Sequence, residues 1–316
     1  MKGLELAERY YFDVCEPMLR EKFPDRMQRI AAGLVGEGSE CYGYDDEISQ
    51  DHDWGAEMCF WLTDEDYAAF GSELAAEVSK LPSSFLGYPV RHISAWGRGR
   101  RGILTIGSFY QKFLGTVTIP TTLAEWRRIP EHHLAAVTNG RVFSDPLGAF
   151  SAVRHALIED YYPEDIRKKK LAARCMTAAQ SGQYNYSRVL ARGELVAAYL
   201  AAAEFLTAAV SITYLLNKRY APFYKWMHRG LRELPLQGST IAELMNGLAK
   251  HTGLPAKEED SQYGDDIIET ICAILIAELQ QQGLSNSTSS FLLDHGLSIH
   301  NTIENAELRN TNPWVE

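Results

Sequence analysis

The chain has 316 residues, of which 46% are hydrophobic, so it is long enough for two folded domains and too apolar to be disordered. Its net charge of -10 argues against a general nucleic-acid binder, because such a protein needs a basic surface. The five cysteines are scattered and form no Cys-x-x-Cys pair, which indicates neither a zinc ribbon nor a disulfide framework and favours a cytoplasmic location.

The first half of the chain alternates short apolar runs with glycine-rich turns. Helical spacing of apolar residues predicts a helix over residues 4–21, and apolar runs predict strands at 30–35 and 58–63. Further elements are predicted in this order: a helix over 63–80, a strand over 88–95, a basic glycine-rich loop at 96–102, helices at 108–114 and 123–128, a loop from 137, a strand around 142–143, and a turn at Asp145-Pro146.

From residue 149 onward, helical periodicity dominates. Helices are predicted over 149–159, 163–182, 187–217, 220–233, 239–251, 265–282 and 288–308. The change near residue 150 predicts an α+β fold: a domain over 1–150 with a small mixed sheet and flanking helices, then a helical bundle domain over 151–316.

One predicted helix calls for comparison with a membrane span. Residues 195–216 carry a single charge, Glu204, and are long enough to cross a bilayer. They are rich in alanine and include Thr207 and Thr213, so we expect a buried helix of the second domain and no membrane partner.

Residues 36–55 are the most informative segment for function. They hold a Gly-Ser pair, Gly38 and Ser39, then eleven residues, then the Asp-x-Asp pair Asp51 and Asp53. If Asp51 and Asp53 lie on a strand, both carboxylates face one side, about 7 Å apart, and can share divalent cations such as Mg²⁺. A Gly-Ser turn offers backbone N–H groups to a phosphate. The alternatives are a solvated acidic loop and a plain tight turn.

This pattern resembles the signature of the DNA polymerase beta-like nucleotidyltransferase superfamily: an apolar strand, Gly-[Gly/Ser], about ten residues, then [Asp/Glu]-x-[Asp/Glu]. The longer string over 38–55 looks like one bacterial branch of it, distantly similar to the aminoglycoside nucleotidyltransferases. Later segments also resemble that branch, namely Tyr161-Tyr162-Pro163, residues 216–226 and Asn312-Pro313-Trp314.

The resemblance implies that Asp51 and Asp53 hold two Mg²⁺ ions and that Gly38 and Ser39 bind the terminal phosphates of a nucleoside triphosphate. The family adds a third carboxylate on a neighbouring strand, and here the pattern departs, because the strand at 88–95 has His92 in that place. Asp145 is the favoured substitute, with turn formation before Pro146 as its alternative role, and Asp45 and Asp46 are further candidates. Arg98, Arg100 and Arg101 suit either a phosphate clamp or a solvated loop.

In the helical half, the resemblance implies contacts to the nucleotide. Lys225 could bind phosphate, and Tyr220 or Trp226 could stack on a base. An interdomain hydrogen-bonding corner with an aromatic core is the alternative. At 312–314, Trp314 is expected to dock by its indole ring.

The function that the resemblance implies is transfer of a nucleoside monophosphate from an NTP to a hydroxyl of a small-molecule acceptor, with release of pyrophosphate. The expected partners are the nucleotide and the acceptor, without nucleic acid, and a homodimer is compatible with the sequence. One alternative is a weak or inactive relative that binds nucleotide. Another is a protein-modifying enzyme of the toxin–antitoxin type, against which the fusion of both domains in one chain counts.

Overall fold

The computed structural model describes residues 1–51, 53–90, 99–251 and 258–316. They form two compact units, Met1–Tyr161 and Tyr162–Glu316. The predicted boundary at residue 150 lies eleven residues earlier in the chain. The difference is the helix Ala149–Glu159, which packs in the first unit because Phe150 stacks on Trp61 with ring centroids 3.8 Å apart.

The first unit contains a mixed four-stranded sheet and a separate two-stranded hairpin. Its strands in chain order are β1 (Ala31–Leu34), β2 (Cys59–Leu62), β3 (Ser84–Phe85), β4 (Tyr88–Pro89), β5 (Gly102–Thr105) and β6 (Arg141–Ser144). The order in the sheet is β5-β2-β1-β6. Strand β1 is antiparallel to both β2 and β6, and β5 is parallel to β2.

Eight α-helices complete the described part of the first unit: α1 (Gly3–Tyr10), α2 (Glu16–Lys22), α3 (Asp64–Asp66), α4 (Ser72–Ser79), α5 (Ile106–Leu114), α6 (Leu123–Arg128), α7 (Glu131–Thr138) and α8 (Ala149–Glu159). π-Helical segments, Tyr11–Cys15 and Tyr67–Gly71, join α1 to α2 and α3 to α4. The predicted helices at 4–21 and 63–80 are therefore continuous. Thr63 begins the second of them by accepting a hydrogen bond from the backbone N–H of Asp66.

Helices cover both faces of the sheet. On one face, Phe60 and Leu62 of β2 belong to an apolar cluster with Leu6 and Tyr10 of α1. On the other, the ring of Trp61 meets Phe109 edge-on as well as stacking on Phe150. Successive side chains of a strand point to opposite faces, so the unbroken apolar run of β2 reflects burial on both sides.

The second unit is built from helices alone in its described part. They are α9 (Glu164–Ala178), α10 (Ser187–Ala191), α11 (Leu195–Leu216), α12 (Tyr224–Leu231), α13 (Gly238–His251), α14 (Glu258–Gln281), α15 (Leu292–Asn301) and α16 (Ala306–Arg309), with a π-helical segment, Ala179–Tyr186, between α9 and α10. The single helix predicted over 187–217 is broken after α10, where Gly193 has a left-handed φ of 73°.

By its length and composition alone, α11 could cross a membrane, and among the described residues it is the one helix for which this holds. The core helix of a soluble protein can have the same length and composition. Phe205 and Ile212 are fully buried, and Phe205 packs so closely on Gly182 that a Cβ at position 182 would lie 2.3 Å from its ring. The part of α11 around Phe205 and Ile212 is therefore a core helix of the second unit, as predicted, whereas Val196 and Leu200 near its start are exposed.

Candidate functional site

The sheet topology gathers the functional motif at one end of the sheet. Strand β1 is antiparallel to β2, so the residues after β1 and those before β2 lie at the same end. Strand β5 is parallel to β2, which brings the residues before β5, Arg100 and Arg101, to that end as well. We call this the turn end of the sheet, because the Gly-Ser turn follows β1 there.

The backbone of the turn needs its glycines. Gly36 and Gly38 have φ values of 118° and 119°, which favour glycine. A Cβ on Gly38 would also lie 2.2 Å from a carboxylate oxygen of Glu40. The carbonyl of Ser39 accepts hydrogen bonds from the N–H groups of Tyr42 (3.1 Å) and Tyr44 (2.9 Å). Gly38 and Ser39 therefore form a tight turn, as the motif predicts.

The prediction that Asp51 and Asp53 lie on a strand is wrong. Strand β2 begins only at Cys59, and the chain before it forms a short 3₁₀ turn, Ile48–Gln50. The Asp46 side chain stabilises this turn by accepting from the N–H groups of Ile48 and Ser49, at 3.1 Å each. Asp53 has a left-handed φ of 50°, which no strand residue adopts. The expectation that strand alternation aligns the two carboxylates therefore fails.

Asp53 instead reaches the Gly-Ser turn through an arginine. Nη1 of Arg100 lies 3.7 Å from Oδ2 of Asp53, and Nε of Arg100 lies 3.3 Å from Oε2 of Glu37. Nζ of Lys112 lies 2.6 Å from the same oxygen of Glu37. We call these four residues the Glu37 cluster. Asp53 is mostly buried, whereas Asp51 is exposed.

Two opposing effects act on the Glu37 carboxyl. Burial opposes its ionisation, but the hydrogen bond from Lys112 and the charges of Lys112 and Arg100 together lower its pKa below the ordinary value. Glu37 is therefore ionised at neutral pH and strongly held. Sequence reasoning missed Glu37, although its position between Gly36 and Gly38 placed it in the same turn as Ser39.

A buried ion pair lies beneath the turn. Nη2 of Arg101 donates to the Glu37 carbonyl (2.6 Å) and to the Glu40 carboxylate (2.7 Å), and both side chains are almost fully buried. The same nitrogen lies 3.2 Å from Sγ of Cys41, where burial raises the thiol pKa. Arg101 is therefore a structural residue that fixes the turn, whereas Arg100 and Lys112 remain partly exposed.

A small cavity of about 30 Å³ opens beside the Glu37 cluster. Gly36, Glu37, Arg100, Lys112 and Phe109 are among the residues that line it. This volume holds about one water molecule. The cavity is therefore too small to enclose a nucleotide.

The oxygen donors at this end suit Mg²⁺ chemically. Among the residues that the structure describes, however, no group of three or more His, Cys, Asp or Glu side chains could hold a metal ion. The guanidinium of Arg100 lies between Asp53 and Glu37, where a bridging cation would have to sit. Binding of Mg²⁺ there requires Arg100 to move aside.

Asp145 does not join the site, because the sheet order contradicts the prediction that it lies beside Asp51 and Asp53. Its strand β6 pairs with β1, not with β2, and runs antiparallel to β1. Asp145 follows the last residue of β6 and so lies at the opposite end of the sheet from the turn. Its Oδ2 accepts from the N–H of Ser151 at 2.7 Å, which stabilises the start of α8. The other proposed base, His92, and the clamp residue Arg98 lie outside the described residues.

The two predicted nucleotide contacts of the helical half lie in the second unit. Tyr220 is buried and meets Tyr162 edge-on, with ring centroids 5.0 Å apart. A base could stack on Tyr220 only if the ring left this buried position, so the structure does not support the prediction that Tyr220 stacks on a base. Lys225 places its ammonium 5.2 Å from the ring of Trp226, in a cation–π contact.

Comparison with known proteins gives one match. A family profile described as a domain of unknown function (DUF4037) matches residues 126–227, which run from α6 to α12. This is less than half of the chain, and it includes Asp145, Tyr220 and Lys225 but not the Glu37 cluster. No curated protein and no solved structure matches the chain.

Proposed function

We propose that the first unit binds a nucleoside triphosphate with Mg²⁺ at the turn end of the sheet and transfers its nucleoside monophosphate to a hydroxyl of a small-molecule acceptor. One observation supports this above the others. A single guanidinium, that of Arg100, contacts both Glu37 in the Gly-Ser turn and Asp53 in the Asp-x-Asp pair. The two halves of the motif thus meet in space, as phosphate binding and metal binding at one site require.

The charges of the Glu37 cluster suit an exchange in which Arg100 and Lys112 leave Glu37 and bind a triphosphate. Arg100 and Lys112 are partly exposed and both contact Glu37. A triphosphate carries more negative charge than one carboxylate, so it competes for both cations, and the planar guanidinium of Arg100 can bind phosphate through two N–H groups. Once Arg100 turns to phosphate, Asp53 and Glu37 lose their shared guanidinium and can bind a metal cation in its place.

In this proposal, Gly38 and Ser39 receive the terminal phosphates, and Asp51 and Asp53 hold Mg²⁺, which offsets the charge on the transferred phosphoryl group. The acceptor oxygen forms a bond to the α-phosphorus, and the bond from that phosphorus to the pyrophosphate oxygen breaks. The acceptor hydroxyl must lose its proton in this exchange. All five cysteines are buried thiols, which supports a reducing, cytoplasmic location for the reaction.

The second candidate function is nucleotide binding without transfer of the nucleoside monophosphate, and the position of Asp145 favours it. Asp145 lies at the far end of the sheet, and Glu37 is a further carboxylate at the turn end that shares Arg100 with Asp53. Because its pKa is lowered, Glu37 is a weak proton acceptor. A protein with this arrangement could sense a nucleotide without using it as a substrate.

The test measures binding and chemistry separately. Calorimetric titration with Mg²⁺ and ATP, GTP, CTP or UTP, together with pyrophosphate release in the presence of hydroxyl-bearing acceptors, is compared for the wild type, Asp53→Asn, Lys112→Met and Asp145→Asn. We expect Asp53→Asn and Lys112→Met to weaken nucleotide binding at least about tenfold, since each removes a charged contact. Asp145→Asn is the matched control and should bind as the wild type does.

Unchanged nucleotide affinity in Asp53→Asn would contradict the proposed site, and an equal loss in Asp145→Asn would contradict its location. Nucleotide binding without pyrophosphate release for any acceptor would favour the sensor over the enzyme. Identification of the molecule that retains the label from α-³²P-labelled nucleotide would distinguish a small-molecule acceptor from a protein acceptor.

A further inference from the structure

A buried aspartate, Asp45, lies in the loop between the Gly-Ser turn and the Asp-x-Asp pair. It is 2% exposed, whereas the adjacent Asp46 is exposed. Burial of a carboxylate is costly unless hydrogen bonds or an opposite charge compensate for it. The contacts that compensate Asp45 therefore indicate what its burial achieves.

The start of α1 and the indole of Trp54 supply these contacts. Oδ2 of Asp45 accepts from the backbone N–H of Gly3 at 2.7 Å and from the indole N–H of Trp54 at 3.0 Å. Oδ1 of Asp45 lies 4.0 Å from Nζ of Lys2, which also donates to the Asp45 carbonyl. One side chain thus ties the start of α1 to the residue that follows Asp53.

Trp54 and the two residues after it pack against the β3–β4 hairpin. Trp54 is 4% exposed, and its ring meets Tyr88 edge-on with centroids 5.2 Å apart. The N–H of Ala56 donates to the Pro89 carbonyl at 3.0 Å, and a Cβ on Gly55 would lie 2.3 Å from the same carbonyl oxygen. The chain directly after the Asp-x-Asp pair is therefore fixed.

The backbone of Asp53 requires such support. Its φ of 50° lies in the left-handed region, which a residue other than glycine keeps only where the surrounding contacts hold it. On the preceding side, Asp46 stabilises the 3₁₀ turn Ile48–Gln50. On the following side, Asp45 holds Trp54. The two neighbouring aspartates thus act on opposite sides of the Asp-x-Asp pair.

The start of α1 also contacts the other half of the motif. A Cβ on Gly3 would lie 2.7 Å from Cβ of Glu40 and 2.9 Å from Nε1 of Trp54. Glu40 is the buried partner of Arg101 beneath the Gly-Ser turn. Gly3 therefore lies between this ion pair and the indole, and only a residue without a side chain fits there.

We propose that Asp45 is a positioning residue, which sets the place of the Asp53 carboxylate through Trp54 and is not itself a metal ligand. One of its oxygens accepts two hydrogen bonds and the other lies near the Lys2 ammonium, so both are engaged within the protein. This replaces the interpretation of Asp45 as the third carboxylate. The role in metal binding rests on the function proposed above, whereas the hold on the loop does not.

Two measurements on the full chain separate the position of the loop from the binding of the metal. The first is amide hydrogen exchange by NMR at Ala56, expressed relative to Phe60 in β2. The second is calorimetric titration with ATP, once with Mg²⁺ and once with EDTA. The ratio of the two dissociation constants is the gain in affinity due to Mg²⁺. Displaced metal ligands lower this gain, whereas a general loss of structure weakens ATP binding in both titrations.

Three variants test the positioning role. Asp45→Ala removes both hydrogen bonds, and Trp54→Phe removes one donor but keeps an aromatic ring against Tyr88. Each should speed the relative exchange of Ala56 at least about fivefold and lower the gain due to Mg²⁺ at least about tenfold, since hydrogen bonds to a charged group are lost. Asp45→Asn keeps an acceptor oxygen for both donors and should retain most of the gain.

Two controls accompany these variants. Trp61→Phe is the matched control, because Trp61 is also a buried tryptophan but its indole N–H has no hydrogen-bond partner among the described residues. It should leave the relative exchange of Ala56 and the gain due to Mg²⁺ unchanged. Asp53→Asn should lose the gain but keep the exchange, because it alters a metal ligand and not the support of that ligand.

Unchanged exchange of Ala56 in both Asp45→Ala and Trp54→Phe would overturn the positioning role. A loss of the gain in Asp45→Asn as large as in Asp53→Asn would also overturn it, since that result indicates that Asp45 binds the metal. If Asp53→Asn keeps the gain of the wild type, the function proposed for the first unit fails, and the role of Asp45 in metal binding fails with it.

Discussion

The side-chain amide of Asn139 binds the backbone of Gly36 in both directions. Its Oδ1 accepts from the Gly36 N–H at 2.9 Å, and its Nδ2 donates to the Gly36 carbonyl at 2.8 Å. Gly36 begins the turn after β1, whereas Asn139 precedes β6, so one side chain ties together two loops that are 103 positions apart in the chain. Arg154 extends the link by donating to the Asn139 carbonyl from Nη1 at 2.5 Å.

Replacement of Asn139 by alanine should destabilise the first unit. Asn139→Ala removes both hydrogen bonds and leaves the polar backbone of Gly36 without that partner, which is expected to lower the free energy of unfolding by about 1–3 kcal/mol. Urea unfolding measures this change. Asn301→Ala, at the exposed end of α15, is the control and should stay within about 0.5 kcal/mol of the wild type. Equal midpoints for the two variants would show that the Gly36 contact contributes nothing.

The buried pair of Arg101 and Glu40 should show strong energetic coupling. Removal of either side chain leaves the other charge buried without its partner. Arg101→Met and Glu40→Gln should therefore each lower the free energy of unfolding by about 3–5 kcal/mol. The double variant should cost clearly less than the sum, since no uncompensated charge remains. A double-mutant cycle from denaturant unfolding measures the coupling. Additive costs would mean that the two charges are stabilised by other groups.

The local sequence pattern predicts those helices and strands whose own residues favour one secondary structure. Strands β1 and β2 are apolar runs that are buried on both faces, and α5, α6 and α8 follow helical spacing, so each was predicted within two residues. Strand β5 was missed because its residues follow a basic glycine-rich loop and it is a strand only by pairing with β2. Helix α7 was missed because the adjacent Asn139 and Gly140 dominate the local signal and indicate a turn.

The candidate site was less predictable, since its contacts join distant parts of the chain. The Gly-Ser turn was found because Gly38 carries a local backbone signal. The error on Asp145 is one of sheet order, since nothing within Arg141–Ser144 indicates that β6 pairs with β1 and not with β2. In the same way, no local pattern shows that Arg100 rather than Arg101 faces Asp53.

A test of helix packing concerns Gly182, in the π-helical segment between α9 and α10. A Cβ there would lie 2.3 Å from the ring of Phe205 in α11, which is fully buried and cannot move aside without disturbing the core. Gly182→Ala should therefore lower the free energy of unfolding by about 1–3 kcal/mol. Gly107→Ala in α5 is the matched control, because the nearest atom to its added Cβ is 3.5 Å away. Calorimetric melting should show a reduced Tm for the first variant and an unchanged or raised Tm for the second. The same Tm change in both would show that loss of glycine flexibility, not contact with Phe205, determines the result.

The last prediction concerns the pH dependence of stability in the second unit. Burial, together with the nearby carboxylates Glu269 and Asp266, raises the pKa of Asp265 to about 6. An aspartic acid in an unfolded chain titrates near 3.9, so between these two pH values the folded protein binds more protons than the unfolded chain does. The free energy of unfolding therefore falls as the pH rises from about 4 to about 6, and the loss persists above pH 6.

Asp265→Asn removes the charge and should be more stable than the wild type at pH 8, with a smaller difference at pH 5. Urea midpoints at both pH values measure this, with Glu243→Gln on the exposed face of α13 as a control for the change in net charge. If Asp265→Asn is destabilised at pH 8, or if its advantage is the same at pH 5, the raised pKa of Asp265 does not govern the stability of this unit.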